Sequence, residues 1–234
     1  QMQRLAAKAE ALDTASPSWL TALRQGIEAH AADDAMDSGA RAGLSDQLRA
    51  IGHTARAMAM QMDFAFLLDP ERKLLSIGYS GHENALDPGC FDLLASEARL
   101  ASLFAVAKGD APLRHWFRLG RAATPLPGGA GLMSWSGSMF EYLMPALVMH
   151  EAEGSLLGRT NRLVVARQQA YGAAHNVPWG ISESGFNARD IELTYQYSNF
   201  GVPGLGLKRG LASNLVIAPY ATGLAAMIDP GAAR

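Results

Sequence analysis

From about residue 92 onward, apolar residues recur at three- and four-residue spacing between stretches rich in glycine and proline. That alternation predicts helices over 92–108, 111–121, 138–150, 155–172 and 219–228, joined by loops at 124–131, 176–190 and 201–210. Pro145 falls inside the third of these and is expected to kink it, because its ring clashes with the preceding turn and its N–H is missing. Upstream, residues 1–62 are Ala-rich with regularly spaced charges and predict helices near 2–12, 17–31 and 40–61, the second opening with Pro17 at a favourable first position. Between the two regions, 64–68 and 74–79 are short apolar runs flanking Asp69-Pro70-Glu71-Arg72-Lys73, a turn sequence that predicts a small hairpin. The pattern therefore divides the chain into a helical lead-in, 1–62, and a mainly α unit, 63–234. The long loops of that unit are where function is expected, since a scaffold rarely tolerates the ordering entropy of a long loop without one.

Composition narrows the classes. With 49% hydrophobic and 18% charged residues the chain is a folded globular protein rather than a disordered one. Twenty basic and 22 acidic residues leave a net charge of -2 with no Lys/Arg block, which argues against nucleic acid as a partner. The single cysteine, Cys90, has no internal disulfide partner and points to a reducing compartment. The apolar stretch 93–107 is broken by Glu97, Arg99 and Ser102 and is shorter than the roughly 20 residues of a membrane span. A Gln at position 1, the lack of a signal-peptide core and an ending at PGAAR (230–234) read as an excised piece. The histidines (His30, His53, His82, His115, His150 and His175) are scattered without ligand spacing, so neither a metal nor a cofactor is expected. GLGLKRG (204–210) lacks both nucleotide-loop spacings and reads as a turn, and Ser182 has no evident base that would make it a nucleophile.

Three glutamates stand out. Glu97 lies in a predicted helix with Leu93, Leu100 and Phe104 on its face, an apolar setting in which a carboxylate must be paired, protonated or turned to a polar cavity. A carboxyl group in such surroundings suits a general acid, while the blander reading is a structural ion pair with an arginine of another helix. Glu141 follows Ser138 by three residues, the S-x-x-E pattern of a capping box, and this structural reading is the favoured one. Trp135 and Tyr142 beside it offer flat faces on which sugars could stack, although most such rings are core. Glu183 sits in PWGISESGFN (178–187) with Trp179, Gly180 and Gly185, and Asn187, Arg189 and Asp190 follow. An aromatic platform, an amide, a cation and a carboxylate together are what a glycan site requires; a polar surface turn is the alternative.

Seven longer motifs carry a resemblance: DPERKLLSIGY (69–79), DLLASEARLAS (92–102), RHWFRLGR (114–121), SWSGSMFEYLMPALVM (134–149), PWGISES (178–184), LTYQYSNFGVPGLGLKRG (193–210) and VIAPYAT (216–222). Through them, residues 64–230 closely resemble the glycoamylase-like middle domain of bacterial cyclic β-1,2-glucan synthases. The resemblance implies an (α/α)6 toroid, here partial because fewer helices are predicted than twelve. It also implies a place on the cytoplasmic side of the inner membrane within a very large synthase, alongside its other domains. The activity it implies is cyclisation of a linear β-1,2-glucan oligosaccharide by retaining transglycosylation, with Glu97 and Glu183 as the catalytic pair. We read Glu183 as nucleophile and Glu97 as acid/base, the two roles being exchangeable. Substrate contacts are expected from Trp135, Glu141, Tyr142, Trp179, Asn187, Arg189, Tyr195 and Tyr197. Two alternatives stand beside this reading: an inverting endo-β-1,2-glucanase of the same architecture, and a non-catalytic glucan-binding module.

Overall fold

The computed structural model describes residues 17–152 and 154–233, so the helix expected near 2–12 lies outside the described residues. The chain divides into two units, 1–62 and 63–234. The first carries α1 (Pro17–Asp34) and α2 (Ser38–Gln61). Asp37 caps α2 by accepting the Ala40 N–H at 2.8 Å, and no residue of α2 is buried.

The second unit is helix-rich with small antiparallel strand pairs. Its helices are α3 (Arg99–Lys108), α4 (Leu113–Arg118), α5 (Met139–Leu143), α6 (Leu156–Ala174) and α7 (Pro219–Ala225). Its strands are β1 (Leu75–Ser76), β2 (Tyr79–Ser80), β3 (Ala85–Leu86), β4 (Cys90–Phe91), β5 (Ala123–Leu126), β6 (Gly129–Leu132), β7 (Ser184–Arg189) and β8 (Tyr195–Ser198). They pair as β1–β4, β2–β3, β5–β6 and β7–β8, and no barrel forms among the described residues. The principal core gathers Met139, Leu143, Val164, Val165, Ile181 and Val202 from α5, α6 and the loops that follow α6.

Several expectations need correction. The expected hairpin is reduced to one antiparallel bridge, Leu68–Leu75, and four other strand pairs form. Residues Ala65–Leu67 form a 3-10 turn, and the segment after the Asp69 turn pairs mainly with 85–91. The turn itself is as read: the Asp69 carboxylate accepts the Glu71 and Arg72 N–H groups, both at 2.8 Å. Residues 124–131 and 176–190, expected as loops, contain strands. Gly128 and Gly129, both at positive φ, supply the backbone the β5–β6 turn requires. The helix expected over 92–108 begins only at Arg99. Its first residues are drawn off into a bridge between Leu93 and Gly120, and the Ser96 hydroxyl accepts the Ala98 N–H at 3.1 Å in a competing turn. Glu97 is therefore in a turn rather than on a helical face with Leu93. Over 138–150, α5 passes into a 3-10 turn, Met144–Leu147, with Pro145 near its start.

A buried guanidinium ties these pieces together. Arg99, 1% exposed, donates to the carbonyls of Ser96 (3.1 Å), Glu141 (3.0 Å) and Tyr142 (2.8 Å), and to the Glu151 carboxylate at 2.6 Å. Asn161 of α6 donates to the other Glu151 oxygen. Burial lowers the Arg99 pKa, and the hydrogen bond and charge of Glu151 oppose that. Removing one partner from such a pair strands a charge and three carbonyls. Arg99→Ala is expected to destabilise unit 63–234 by about 3–5 kcal/mol in urea denaturation, whereas replacing Arg99 and Glu151 together by apolar residues is expected to recover part of that loss.

Candidate active site

Three segments, two of them without regular structure and one leading into α5, bring carboxylates to one place, and each is held by buried polar bonds. In the first, Glu97 occupies the turn before α3; it is half-buried, and its Oε2 accepts the Ser96 hydroxyl at 3.3 Å.

The second is 134–138. Ser138 and Glu141 form the expected capping box. Beyond it, the Glu141 carboxylate accepts the Ser134 hydroxyl (2.7 Å), the Ser136 N–H (3.0 Å) and the Ser136 hydroxyl (2.8 Å). Serines at alternate positions thus turn inward onto one anion, and Trp135 between them turns outward, 55% exposed. The segment is braced from behind by 200–207. Ser134 donates to the Leu205 carbonyl at 3.0 Å and Leu207 to the Ser134 carbonyl at 3.1 Å, while Lys208 N–H meets the Trp135 carbonyl at 2.7 Å. The approach is so close that a Cβ at Gly201 would stand 1.9 Å from the Ser136 carbonyl oxygen, and one at Gly206 2.4 Å from its carbonyl carbon. The glycines read as a turn therefore serve close packing of two backbones.

The third segment is PWGISES. Gln168 of α6, wholly buried, both accepts the Ile181 N–H and donates to the Ile181 carbonyl, each at 2.8 Å. Gly180, at φ +112°, lies under Thr222, whose hydroxyl donates to the Trp179 carbonyl at 3.1 Å. Ile181 also bridges to Ile217. Glu183 emerges directly from this clamp at the start of β7, half-buried.

Glu97, Glu141 and Glu183 line one cleft of about 330 Å³, together with Asp92, Trp135 and Asn199. Its remaining wall includes Ile77, Cys90, Phe91, Leu93 and Ser96. Glu141 is committed to its hydrogen bonds, so Glu97 and Glu183 are the two half-buried carboxylates available to a ligand. Burial, then the charges of Glu97 and Glu141, raise the Glu183 carboxyl above its usual value, and a hydrogen bond from Tyr197 works against them. Tyr197 stands opposite Gly185 across the β7–β8 pair.

The other expected contacts are dispersed. Tyr142 is the clearest correction: its ring is 1% exposed, and its hydroxyl bridges the Ser134 N–H (3.0 Å) and the Leu132 and Leu205 carbonyls (both 2.9 Å). Burial raises its pKa. It cannot present a face to a sugar. Trp179 is packed against the core, next to Gly172 of α6. Asn187, Arg189 and Tyr195 lie on the exposed hairpin outside the cleft lining, where Arg189 donates to the Tyr195 hydroxyl at 2.6 Å and sits 4.4 Å over its ring. Sequence reasoning missed Asp92, Asn199, Gln168 and Tyr220. Asp92, Asn199 and Tyr220 fall inside the motifs that carry the resemblance, whereas no local pattern marks Gln168. Among the described residues, no three His, Cys, Asp or Glu side chains gather to hold a metal ion, and no helix is long and apolar enough to cross a membrane.

The chain is similar to a glucan synthase. It is 58% identical over 216 residues to cyclic beta-(1,2)-glucan synthase NdvB of Rhizobium meliloti (strain 1021). The alignment takes in 92% of this chain and spans only 8% of the length of NdvB. No family model matches the chain. The segment thus corresponds to a fragment of a far longer synthase sequence.

The electrostatic coupling across the cleft has a direct test. Glu97→Gln removes a neighbouring negative charge, so Glu183 is expected to release its proton at lower pH than in the parent chain. A 13C NMR titration of the Glu183 carboxyl reads the shift, and an unmoved midpoint would show that the two groups do not sense each other.

Proposed function

We propose that residues 63–234 supply the catalytic carboxylates of a domain that closes linear β-1,2-glucan into a ring by retaining transglycosylation. The observation that carries the reading is that Glu97 and Glu183, drawn from distant parts of the sequence, line one cleft beneath an exposed tryptophan. A sugar ring stacks its C–H face on an indole, and two carboxyl groups flanking a glycosidic bond are what its exchange requires. The similarity to NdvB supports the substrate class, a β-1,2-linked glucan. In this reading the unit belongs to an (α/α)6 toroid within a large synthase at the cytoplasmic face of the inner membrane, and works beside that protein's other domains.

The electrostatics favour an assignment of roles opposite to the one read from sequence. Glu183, whose proton affinity is raised by burial and by neighbouring carboxylates, is suited to donate to the leaving oxygen. Glu97 then attacks the anomeric carbon as the bond to that oxygen breaks, and a glucosyl ester forms on Glu97. The Glu183 carboxylate next takes the proton from the 2-hydroxyl at the far end of the same chain. That oxygen attacks the anomeric carbon and expels Glu97, so two inversions restore the β linkage. Glu141 is not available for either step, being held by Ser134, Ser136 and Ser138.

In the whole protein, Glu97→Gln and Glu183→Gln are each expected to lower the yield of cyclic product from linear β-1,2-glucan by about 100- to 10,000-fold. Continued cyclisation by both variants would refute the assignment. Azide with an activated aryl β-sophoroside separates the roles: Glu183→Ala should give a β-linked azide and Glu97→Ala an α-linked one, and the reverse pattern would return the nucleophile to Glu183.

A further inference from the structure

Glu183 is the last residue of the clamped segment before the β7–β8 hairpin, which Phe186 packs against the core, so what remains to be accounted for is the hold on the Glu183 peptide itself. Gln168 and Thr222 hold positions 179–181 and stop short of it. Tyr220, from the first turn of α7, reaches further. Its hydroxyl lies 2.7 Å from the Glu183 carbonyl oxygen, to which it donates, and 2.8 Å from the hydroxyl of Ser182. Ser182 is wholly buried and in turn accepts the Phe140 N–H of α5 at 3.0 Å. The Phe140 and Tyr220 rings meet edge to face, 6.5 Å between centroids, which fixes the direction of the phenol. The chain of contacts runs from α5 through Ser182 to Tyr220 and ends on the peptide of Glu183. Ser182, which the sequence offered only as an unsupported nucleophile, has its hydroxyl occupied within this chain.

We infer that Tyr220 is a positioning residue for Glu183: by joining the Ser182 hydroxyl to the Glu183 carbonyl, it holds the carboxylate inside the cleft. The inference rests on the catalytic reading of Glu183 given above and adds to it a residue that makes the geometry. The titratable groups facing Glu183 are Glu97 from the turn before α3, Glu141 from α5, Tyr197 from β8 and Tyr220 itself from α7. Burial and the first two raise the Glu183 pKa only while the side chain is held among them. Freed by loss of the Tyr220 hydroxyl, the carboxylate would reach water and ionise at lower pH.

The test compares Tyr220→Phe and Ser182→Ala with Thr222→Val in the whole protein. Thr222 secures the same loop through Trp179 without touching Glu183, and so reports what mere loosening of the loop does. For Tyr220→Phe, kcat for transfer from linear β-1,2-glucan should fall about 10- to 100-fold with KM little changed. The alkaline limb of its pH profile should move to lower pH, and carbodiimide labelling of Glu183, followed by mass spectrometry, should rise severalfold. Ser182→Ala should move both readouts the same way. Thr222→Val should lower the melting temperature and leave the limb and the labelling where they are. If Tyr220→Phe and Ser182→Ala keep the parent limb and labelling, the inference is overturned whatever happens to kcat. Should the parent protein itself fail to act on linear β-1,2-glucan, the catalytic reading falls, and the labelling comparison still decides whether Tyr220 holds Glu183.

Discussion

The cleft depends above all on a cation it does not expose. Arg99 holds the carbonyls of Ser96, Glu141 and Tyr142 with one guanidinium, so the turn bearing Glu97 and the helix bearing Glu141 share a single point of attachment. Burying such a charge costs several kcal/mol, and the cost is met here by the Glu151 carboxylate together with three backbone acceptors. An apolar residue at position 99 could fill the space, but it would leave three carbonyls without donors. The ion pair is therefore better understood as fixing which backbone segments meet than as a source of net stability.

A division among the acids follows from the same logic. Glu141 and Glu151 are saturated with hydrogen bonds and hold the scaffold, whereas Glu97 and Glu183 keep oxygens free to face the cleft. What separates the two classes is the supply of donors nearby. Serines at 134, 136 and 138 surround Glu141, and Arg99 and Asn161 take Glu151. Glu97 has one long bond to its neighbour Ser96, and Glu183 has a hydrogen bond from Tyr197. A carboxylate with few donors and a like charge nearby is the one whose proton affinity can be set by its surroundings.

The sequence made some of this legible and hid the rest for identifiable reasons. Helices α6 and α7, the Asp69 turn and the capping box at Ser138 and Glu141 could be read because local periodicity or cap chemistry determines them. The start of α3 could not, since the Leu93–Gly120 bridge competes with the helix from outside the local window. For the same reason the strand pairs hidden in presumed loops went unseen: their partners are short, and β7–β8 carries an irregular register between Phe186 and Arg189. Glu97 was singled out on a helical face it does not occupy. The ion pair with an arginine of another helix, its alternative reading, does not form among the described residues, and the buried Arg99 two residues further on is bound to Glu151. Gln168 shows the limit most clearly, because a buried glutamine gripping a distant backbone leaves no mark in the sequence around it.

The backbone-to-backbone contact behind Trp135 carries a consequence for molecular recognition. Between 134–138 and 200–207 the closest approaches are made by main-chain atoms over Gly201 and Gly206, where there are no side-chain torsions to rearrange. The indole thus stands on a support with almost no conformational entropy left to lose, and whatever settles on it need order little beyond the tryptophan's own two torsions. Selectivity at that part of the cleft is then a matter of rigid shape, and adaptation to a different ligand would have to come from other residues of the lining, such as Ile77, Phe91 and Asp92.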